Sequence, residues 1–531
     1  MKNLKITLFF LFLFTSFWSQ AIIKVVDTNA DSGPGSLRDH IQNANANDTI
    51  LIDVSGTIEL LNEISINQKS NLWIIGPYPT HLTISPSTGW IGGNNLFKID
   101  QSSNIHFENI GYEGNNLTRG FDLSGNPGQI GFKNCVIEGF QPSPALDGGA
   151  IFCVNTPLKL ENCSVFENLG ENGGAIYYDT GELELINTTF YNNVANDGGG
   201  ALFLNDGFNA TVIHCTFKDN FSTSDGSCIA IPGATGGAVL MQGNASDGNG
   251  GNTQFFDPSG FMNSVGGNVI KLNGGGDAVP YTEHPTDQSA QGINTFLTAT
   301  PVTDGYGLKY FRITNCNSDL VDVGPNGLPT PAFDTRRAPR KLSGECGIVS
   351  GPNLSPLADA GAVEFTKLRV LNNSGNALTT NSLPWCLNQN LDLTNYIEFN
   401  VGNVIIDPDA SMIVASAAFI IDGFSQVGSE IPGPEATGNP GVIEGAFPIE
   451  IENANGLTDG FIFTATSQNS RISGIRITGF QNFGIAATGT SGIKIQGNQI
   501  GINSSGFVSS NISSGSMIRA SSSCIIGGGQ H

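Results

Sequence analysis

The chain of 531 residues is poor in charge. Asp, Glu, Lys and Arg make up 13% of it, and 46 acidic residues face only 23 Lys plus Arg. A formal net charge of −23 leaves no basic footprint to displace counterions from phosphates, so nucleic acid is excluded as a partner. Long apolar runs are also missing beyond the first 21 residues, which excludes a transmembrane helix in the mature chain. The nine cysteines include no CxxC spacing, so no zinc site is expected, and no other metal or cofactor is called for. No two aspartates are adjacent, and no phosphate-binding glycine loop lies between a strand and a helix.

What is present is glycine (69), phenylalanine (33) and an apolar fraction of 39%, enough to rule out disorder. Residues 1–21 read as a secretory signal. Lys2 and Lys5 precede the apolar stretch Ile6 to Phe17, and Ser19-Gln20-Ala21 offers a small-x-small cleavage site. The expected location is therefore secreted, extracellular or on the outer-membrane surface. An odd cysteine count leaves at least one thiol without an intramolecular partner. Cys135, Cys163 and Cys215 share one repeat position and read as small core residues, whereas Cys316 and Cys346 form a candidate disulfide.

The repeat is explicit. Gly148-Gly149-Ala150-Ile151 recurs as Gly173-Gly174-Ala175-Ile176 and Gly199-Gly200-Ala201-Leu202, at steps of 25 and 26 residues. A second series, Asn109, Asn134, Asn162, Asn187 and His214, advances by 25, 28, 25 and 27. Periods of this size indicate a solenoid. Alternation in "GELELINTTF" and the paired glycines indicate strands rather than helices, so the expected fold is an all-β parallel β-helix. Equivalent apolar residues then stack into columns at the strand spacing of about 4.8 Å. The recurring Asn can bond its amide to that of the next coil, and Gly149, Gly174 and Gly200 fit tight turns or close coil approaches.

At these residues the chain resembles the repeats of the polymorphic outer-membrane protein family, with its GGA[ILV] and FxxN signatures. Phe190 to Asn193 and Phe217 to Asn220 match FxxN; "VFEN" at 165–168 departs, with its Asn one position early. The resemblance implies a right-handed β-helix of the pectin-lyase-like class used on bacterial surfaces, a hand that agrees with the crossover rule. "DTNADSGPGSLRDHIQNANANDTILID" at 27–53 is similar to the opening of such helices, with a short helix from Ser36-Leu37 capping the first coil. "NTFLTATPV" from 294, "FDTRRAPR" at 333–340 and "DAGAVEF" at 359–365 resemble the choice-of-anchor Q segment. That resemblance implies that the segment closes the helix, with Asp334 and Arg337 as structural hydrogen-bonding residues.

The pattern restarts at 369–401, with Ser382-Leu383 in the place of Ser36-Leu37. Ile475/Ile477 and Ile493/Ile495 then suggest coils 18 residues apart. Two modules in tandem are expected. The first spans 22–365, with a cap at about 27–53, repeats at about 60–231, an irregular Gly-rich part at 232–293 and a closing segment at about 294–365. The second spans 366–531. The ending "SSSCIIGGGQH" carries no cap and reads as the break point of a longer surface protein.

Chemistry is harder to find. A lyase needs clustered carboxylates, often with Ca²⁺, plus a basic group, and a hydrolase needs two or three carboxylates in one cleft. Asp147, Asp197 and Asp225 precede glycines and read as turn residues, as do Asp407 and Asp409. His214 stands in for a ladder Asn. The cluster Arg336, Arg337, Arg340 and Lys341 falls in the closing segment, which favours a structural role. No catalytic residue is assigned. The favoured expectation is a non-catalytic, adhesin-like or structural surface protein that binds glycans or proteins on its sheet faces. The alternative is an extracellular polysaccharide lyase or glycoside hydrolase. Exposed aromatic ladders would favour binding; three carboxylates and an Arg converging in a groove would favour the enzyme.

Overall fold

The computed structural model describes residues 21–273, 277–315, 317–321, 323, 330–336, 338, 340, 358–363, 368–389, 394–415, 418–426, 429, 447–501, 514–519 and 525–526. Residues 1–20 of the expected signal segment, the expected Cys316–Cys346 pair, Arg337, Lys341 and Cys524 lie outside them.

Three stacks of parallel strands wind round one core from residue 23 to 290. Sheet A holds ten strands, from Ile23–Val26 to Met262–Gly266; sheet B holds ten, from Gly56–Leu60 to Gln288–Ala290; sheet C holds eight, from Asn62–Asn67 to Phe255–Phe256. Register is kept from coil to coil. In sheet C, Phe121 pairs with Ile151, Ile151 with Ile176 and Ile176 with Leu202, all buried. Each such inward side chain contributes roughly 1.5–3 kcal/mol, so the column, not any one coil, carries the stability.

The first coil is capped by α1, Leu37–Gln42. The Ser36 hydroxyl accepts from the Asp39 N–H at 3.2 Å, and Leu37, Ile41 and Ala44 close the core. The glycine pairs have two separate reasons. Gly148, Gly173 and Gly199 have φ between +66° and +73°, which L side chains resist. The second glycine meets the next coil. A Cβ on Gly174 would lie 2.3 Å from the Gly200 carbonyl oxygen and 2.4 Å from that of Val194.

Two amide ladders run along the corners. Asn134 Nδ2 donates to Asn109 Oδ1 (2.9 Å), Asn162 to Asn134 (3.4 Å) and Asn187 to Asn162 (3.1 Å). The second ladder is fully buried. Asn168 donates to Asn193 (2.9 Å), Asn193 to Asn220 (2.9 Å) and Asn220 to Asn249 (3.0 Å). This corrects the reading of "VFEN". Val165 pairs with Phe190, and Phe190 with Phe217, so Val165 fills the Phe position and Asn168 is in register. Phe190 and Phe217 stack inside the core with centroids 5.2 Å apart.

The irregular Gly-rich stretch after residue 231 forms coils, with a register shift between Met241 and Gln242. Gly237–Gln242 pairs along its length with Phe208–Ile213, and coils continue to Ala290. Phe261, Leu272, Val279 and Tyr281 then pack on the far end of the core. The described part of 294–363 does something different from sealing that end. It runs as a strap along the outer face of sheet B. The Ser164 hydroxyl accepts from Lys309 N–H (2.9 Å) and donates to Lys309 O (2.8 Å). Thr216 Oγ1 accepts from Ala362 N–H at 2.9 Å, and Phe311 packs on Tyr191. The small outward column Ser164, Thr189, Thr216 and Ala245 is buried by it.

A second solenoid with its own core begins at Arg369. Its helix α2, Leu383–Leu387, is N-capped by Ser382, as α1 is by Ser36. It rests against the strap: Gly305 N–H donates to Phe424 O at 2.7 Å, and Tyr306 lies between Tyr78 of the first solenoid and Phe424 of the second. The step between the coils that hold Ile475/Ile477 and Ile493/Ile495 is 23 residues, not 18. Ile472 pairs with Ile495 and Ile477 with Ile500, in two different sheets. The sequence signal misleads because each coil carries two similar Ile-rich strands.

Candidate functional site

With sheet B covered, the outer faces of sheets A and C remain. On sheet C the outward register runs Lys98, Asp122, Phe152, Tyr177, Phe203, Ala230. Phe152, Tyr177 and Phe203 stack with centroids 5.1 and 5.4 Å apart and planes within 18°. The Arg119 guanidinium lies 4.7 Å from the Phe152 centroid, and its Nη1 donates to Asn95 Oδ1 at 3.2 Å. Asp122 accepts from the Ser124 hydroxyl at 2.6 Å. Burial, followed by the charges of Asp179 and Asp147, pushes the Tyr177 phenol up to about 12. Among the described residues no ion pair joins Arg119 to a carboxylate.

Sheet A presents the column Trp73, His106, Gly131, Lys159, Glu184, with Glu108, Lys133 and Glu161 beside it. The Trp73 and His106 rings stack at 4.2 Å. Next to them lies a shallow hollow of about 240 Å³, with Gly131 in its lining. Lys133 pairs with Glu108 at 3.6 Å, and Lys159 with Glu161 at 3.1 Å and Glu184 at 3.5 Å. Burial would lower Lys159, but the two glutamates outweigh it and hold it above its ordinary value. It stays an ammonium near neutral pH and is a poor base. His106 is lowered by burial and then by Lys159, which leaves the imidazole neutral at pH 7.

The described residues singled out in sequence are placed as follows. His214, at φ +50°, sits in the Asn ladder, and its Nδ1 donates to Asp359 O at 3.0 Å. Burial, then Arg340, lowers it well below its ordinary range. At the same corner Arg340 Nη2 donates to Asn187 Oδ1 at 2.8 Å. Arg336 pairs with Asp334 (2.7 Å) and Glu398 (3.3 Å) in the interior. Cys135, Cys163 and Cys215 are buried free thiols, with Cys153, Cys228 and Cys386. Asp147 Oδ1 accepts from Asn172, and Asp407 Oδ1 from Ala454 N–H, contacts that reach residues 25 and 47 positions further along the chain. No group of three or more His, Cys, Asp or Glu suited to a metal occurs among the described residues, and no helix there is long and apolar enough to cross a membrane. The two aromatic features were missed, although "IFCV", "IYYD" and "LFLN" after each glycine pair carry the ring at one position.

Residues 62–249 match the family model described as "Right handed beta helix region". The fold is a right-handed parallel β-helix. No curated protein matches. Among solved structures, Geobacillus virus E2 ORF18 aligns at 11% identity and TM-score 0.25, over 51% of this chain and 62% of that one. Pectate lyase Pel9A aligns at 13% identity and TM-score 0.29, over 66% and 97%. A mutant of the PL6 family alginate lyase AlyGC aligns at 8% identity and TM-score 0.23, over 96% and 78%. Likenesses this weak do not bear on what the chain does.

Proposed function

We propose that this chain is an exported bacterial surface β-helix that holds glycans on its open sheet faces without cleaving them. The observation that carries this reading is the pair of part-exposed, stacked rings Phe152 and Tyr177 on the outside of sheet C, backed by the buried Phe203, with the Arg119 guanidinium against Phe152 and Asp122 and Asp179 beside them. Burying the C–H patches of sugar rings against such side chains is favourable, and bordering polar groups satisfy the hydroxyls. The test is a glycan array with the purified chain, followed by titration of any bound glycan. Phe152→Ala/Tyr177→Ala should lose the binding carried by sheet C, and prolonged incubation should release neither reducing ends nor unsaturated products. Depolymerisation of a bound polysaccharide, or no bound glycan at all, would overturn it.

The second reading is a polysaccharide lyase. It is favoured by one observation: neutral His106 stands near the cations Lys133 and Lys159, the pairing of base and charge neutralisation that removal of a proton next to a uronate requires. Against it, both lysines are engaged by glutamates.

A further inference from the structure

We infer that the hollow beside His106 on sheet A is a second carbohydrate subsite, made for one neutral hexose ring; this rests on the glycan-binding reading above. The outward column reads Trp73, His106, Gly131, Lys159. Gly131 lies in a strand and outside the left-handed region, so its backbone does not ask for glycine. The neighbouring side chain does. A Cβ at 131 would stand 2.9 Å from His106 Nδ1. Glycine there keeps the imidazole stacked on Trp73 and leaves the hollow of about 240 Å³ open beside it.

Its size and chemistry narrow the ligand. The volume falls below the roughly 300–1,000 Å³ that encloses a drug-sized molecule, so it takes one ring, and longer chains must run on across the face. The stacked Trp73 and His106 offer an apolar surface for the C–H side of a pyranose. Around them Lys133 and Lys159 supply donors, and Glu108 and Glu161 supply acceptors. A neutral imidazole adds one donor and one acceptor. The two lysines are matched by three glutamates, Glu108, Glu161 and Glu184, and the whole chain carries −23, so nothing draws in an anionic sugar. A hydroxyl-rich neutral ring uses every one of these groups, whereas a uronate would face two carboxylates.

Titration calorimetry on the full chain with neutral gluco-, manno- and xylo-oligosaccharides, and with uronate oligomers, tests this. Trp73→Ala removes a half-exposed ring, and Gly131→Val fills the hollow with a side chain at home in strands; Phe152→Ala on sheet C is the control. Circular dichroism establishes that each variant is folded. The expected result is neutral-sugar binding that is insensitive to salt, at least tenfold weaker in Trp73→Ala and Gly131→Val, and with a component that survives Phe152→Ala. Loss of all binding in Phe152→Ala, with none in the other two, overturns the subsite and leaves the glycan reading standing. Tighter, strongly salt-dependent binding of uronates overturns the neutral assignment. No binding of any sugar removes both.

Discussion

Replacing Asn193 by alanine tests whether the buried ladder holds the coils together. Asn193 is fully buried and makes four bonds with its amide. Nδ2 donates to Asn220 Oδ1 (2.9 Å) and Val165 O (2.8 Å), while Oδ1 accepts from Asn168 N–H (3.2 Å) and Nδ2 (2.9 Å). Not all of these groups would be stranded. Asn168 Nδ2 keeps Ile137 O at 3.2 Å, and Asn220 Oδ1 keeps the Asn193 backbone N–H at 3.1 Å. The Asn168 N–H loses its bond to Oδ1, and the Val165 carbonyl loses one bond. A buried donor without a partner costs about 1–3 kcal/mol, and each lost bond about 0.5–1.5 kcal/mol. The expected destabilisation is therefore about 3 kcal/mol, falling toward the low end if a water enters the space. Asn71→Gly is the comparison. It keeps the φ of +50° available and removes two exposed ladder bonds, to Asn47 and from Asn104, so its cost should stay below about 1 kcal/mol. Urea denaturation followed by circular dichroism gives both values from the shift in midpoint at constant slope. A loss in Asn193→Ala under about 0.5 kcal/mol, or no larger than that of Asn71→Gly, refutes the reasoning.

The other predictions concern the junction, the glycines and the thiols. Burial alone would raise the Glu398 carboxyl, but Arg312, Arg369 and Arg336 hold it at about 2 instead of 4.5. At 1.36 kcal/mol per pH unit this is about 3 kcal/mol of stability. Because the folded value is the depressed one, that contribution is complete above pH 4.5 and is lost as pH falls toward 2. Denaturation midpoints should drop across this window in the wild type and much less in Glu398→Gln, which should be weaker by about 3–5 kcal/mol at pH 7; parallel profiles would contradict the assignment. Gly174→Ala forces a Cβ against two carbonyls of the next coil and should cost at least about 1–3 kcal/mol. Gly236→Ala meets nothing within 4 Å and should be nearly neutral in the same urea assay. Cys135, Cys153, Cys215, Cys228 and Cys386 are buried with thiols pushed up in pKa, Cys215 and Cys386 to about 12. Mass spectrometry after brief alkylation should find them unmodified in the native protein and modified in urea.

The coil was legible because its contacts recur. Residues about 25 apart meet the same neighbours in each turn, so Gly149, Gly174 and Gly200, the Asn series and the Ser36 and Ser382 caps all announce themselves in spacing. What was not legible depends on contacts made once. Ser164 meets Lys309, Asn187 meets Arg340 and Thr216 meets Ala362 across roughly 145–153 residues, with no period to reveal them. Which sheet face is covered therefore could not be read from the repeats. The coils through 237–271 were harder to read because GGAV recurs at 236–239 in a sheet A strand, where Gly237 pairs with Phe208, out of register with the earlier copies, and Asn244 stands in the position of Cys215, bonding Asn268.

Breaks in a column point to what lies outside the repeat. His214 interrupts the Asn ladder where Arg340 and Asp359 of the strap reach that corner. The small residues Ser164, Thr189, Thr216 and Ala245 interrupt what could be a large-residue row because the strap crosses them. In each case a departure from the repeat is answered by another part of the same chain. Gly131 is a departure of the same kind, set between His106 and Lys159 on a face that the described residues leave open. The imidazole accounts for the missing Cβ, and a side chain at 131 would fill the hollow next to it, which makes Gly131→Val the sharpest single substitution for separating a binding face from a passive wall.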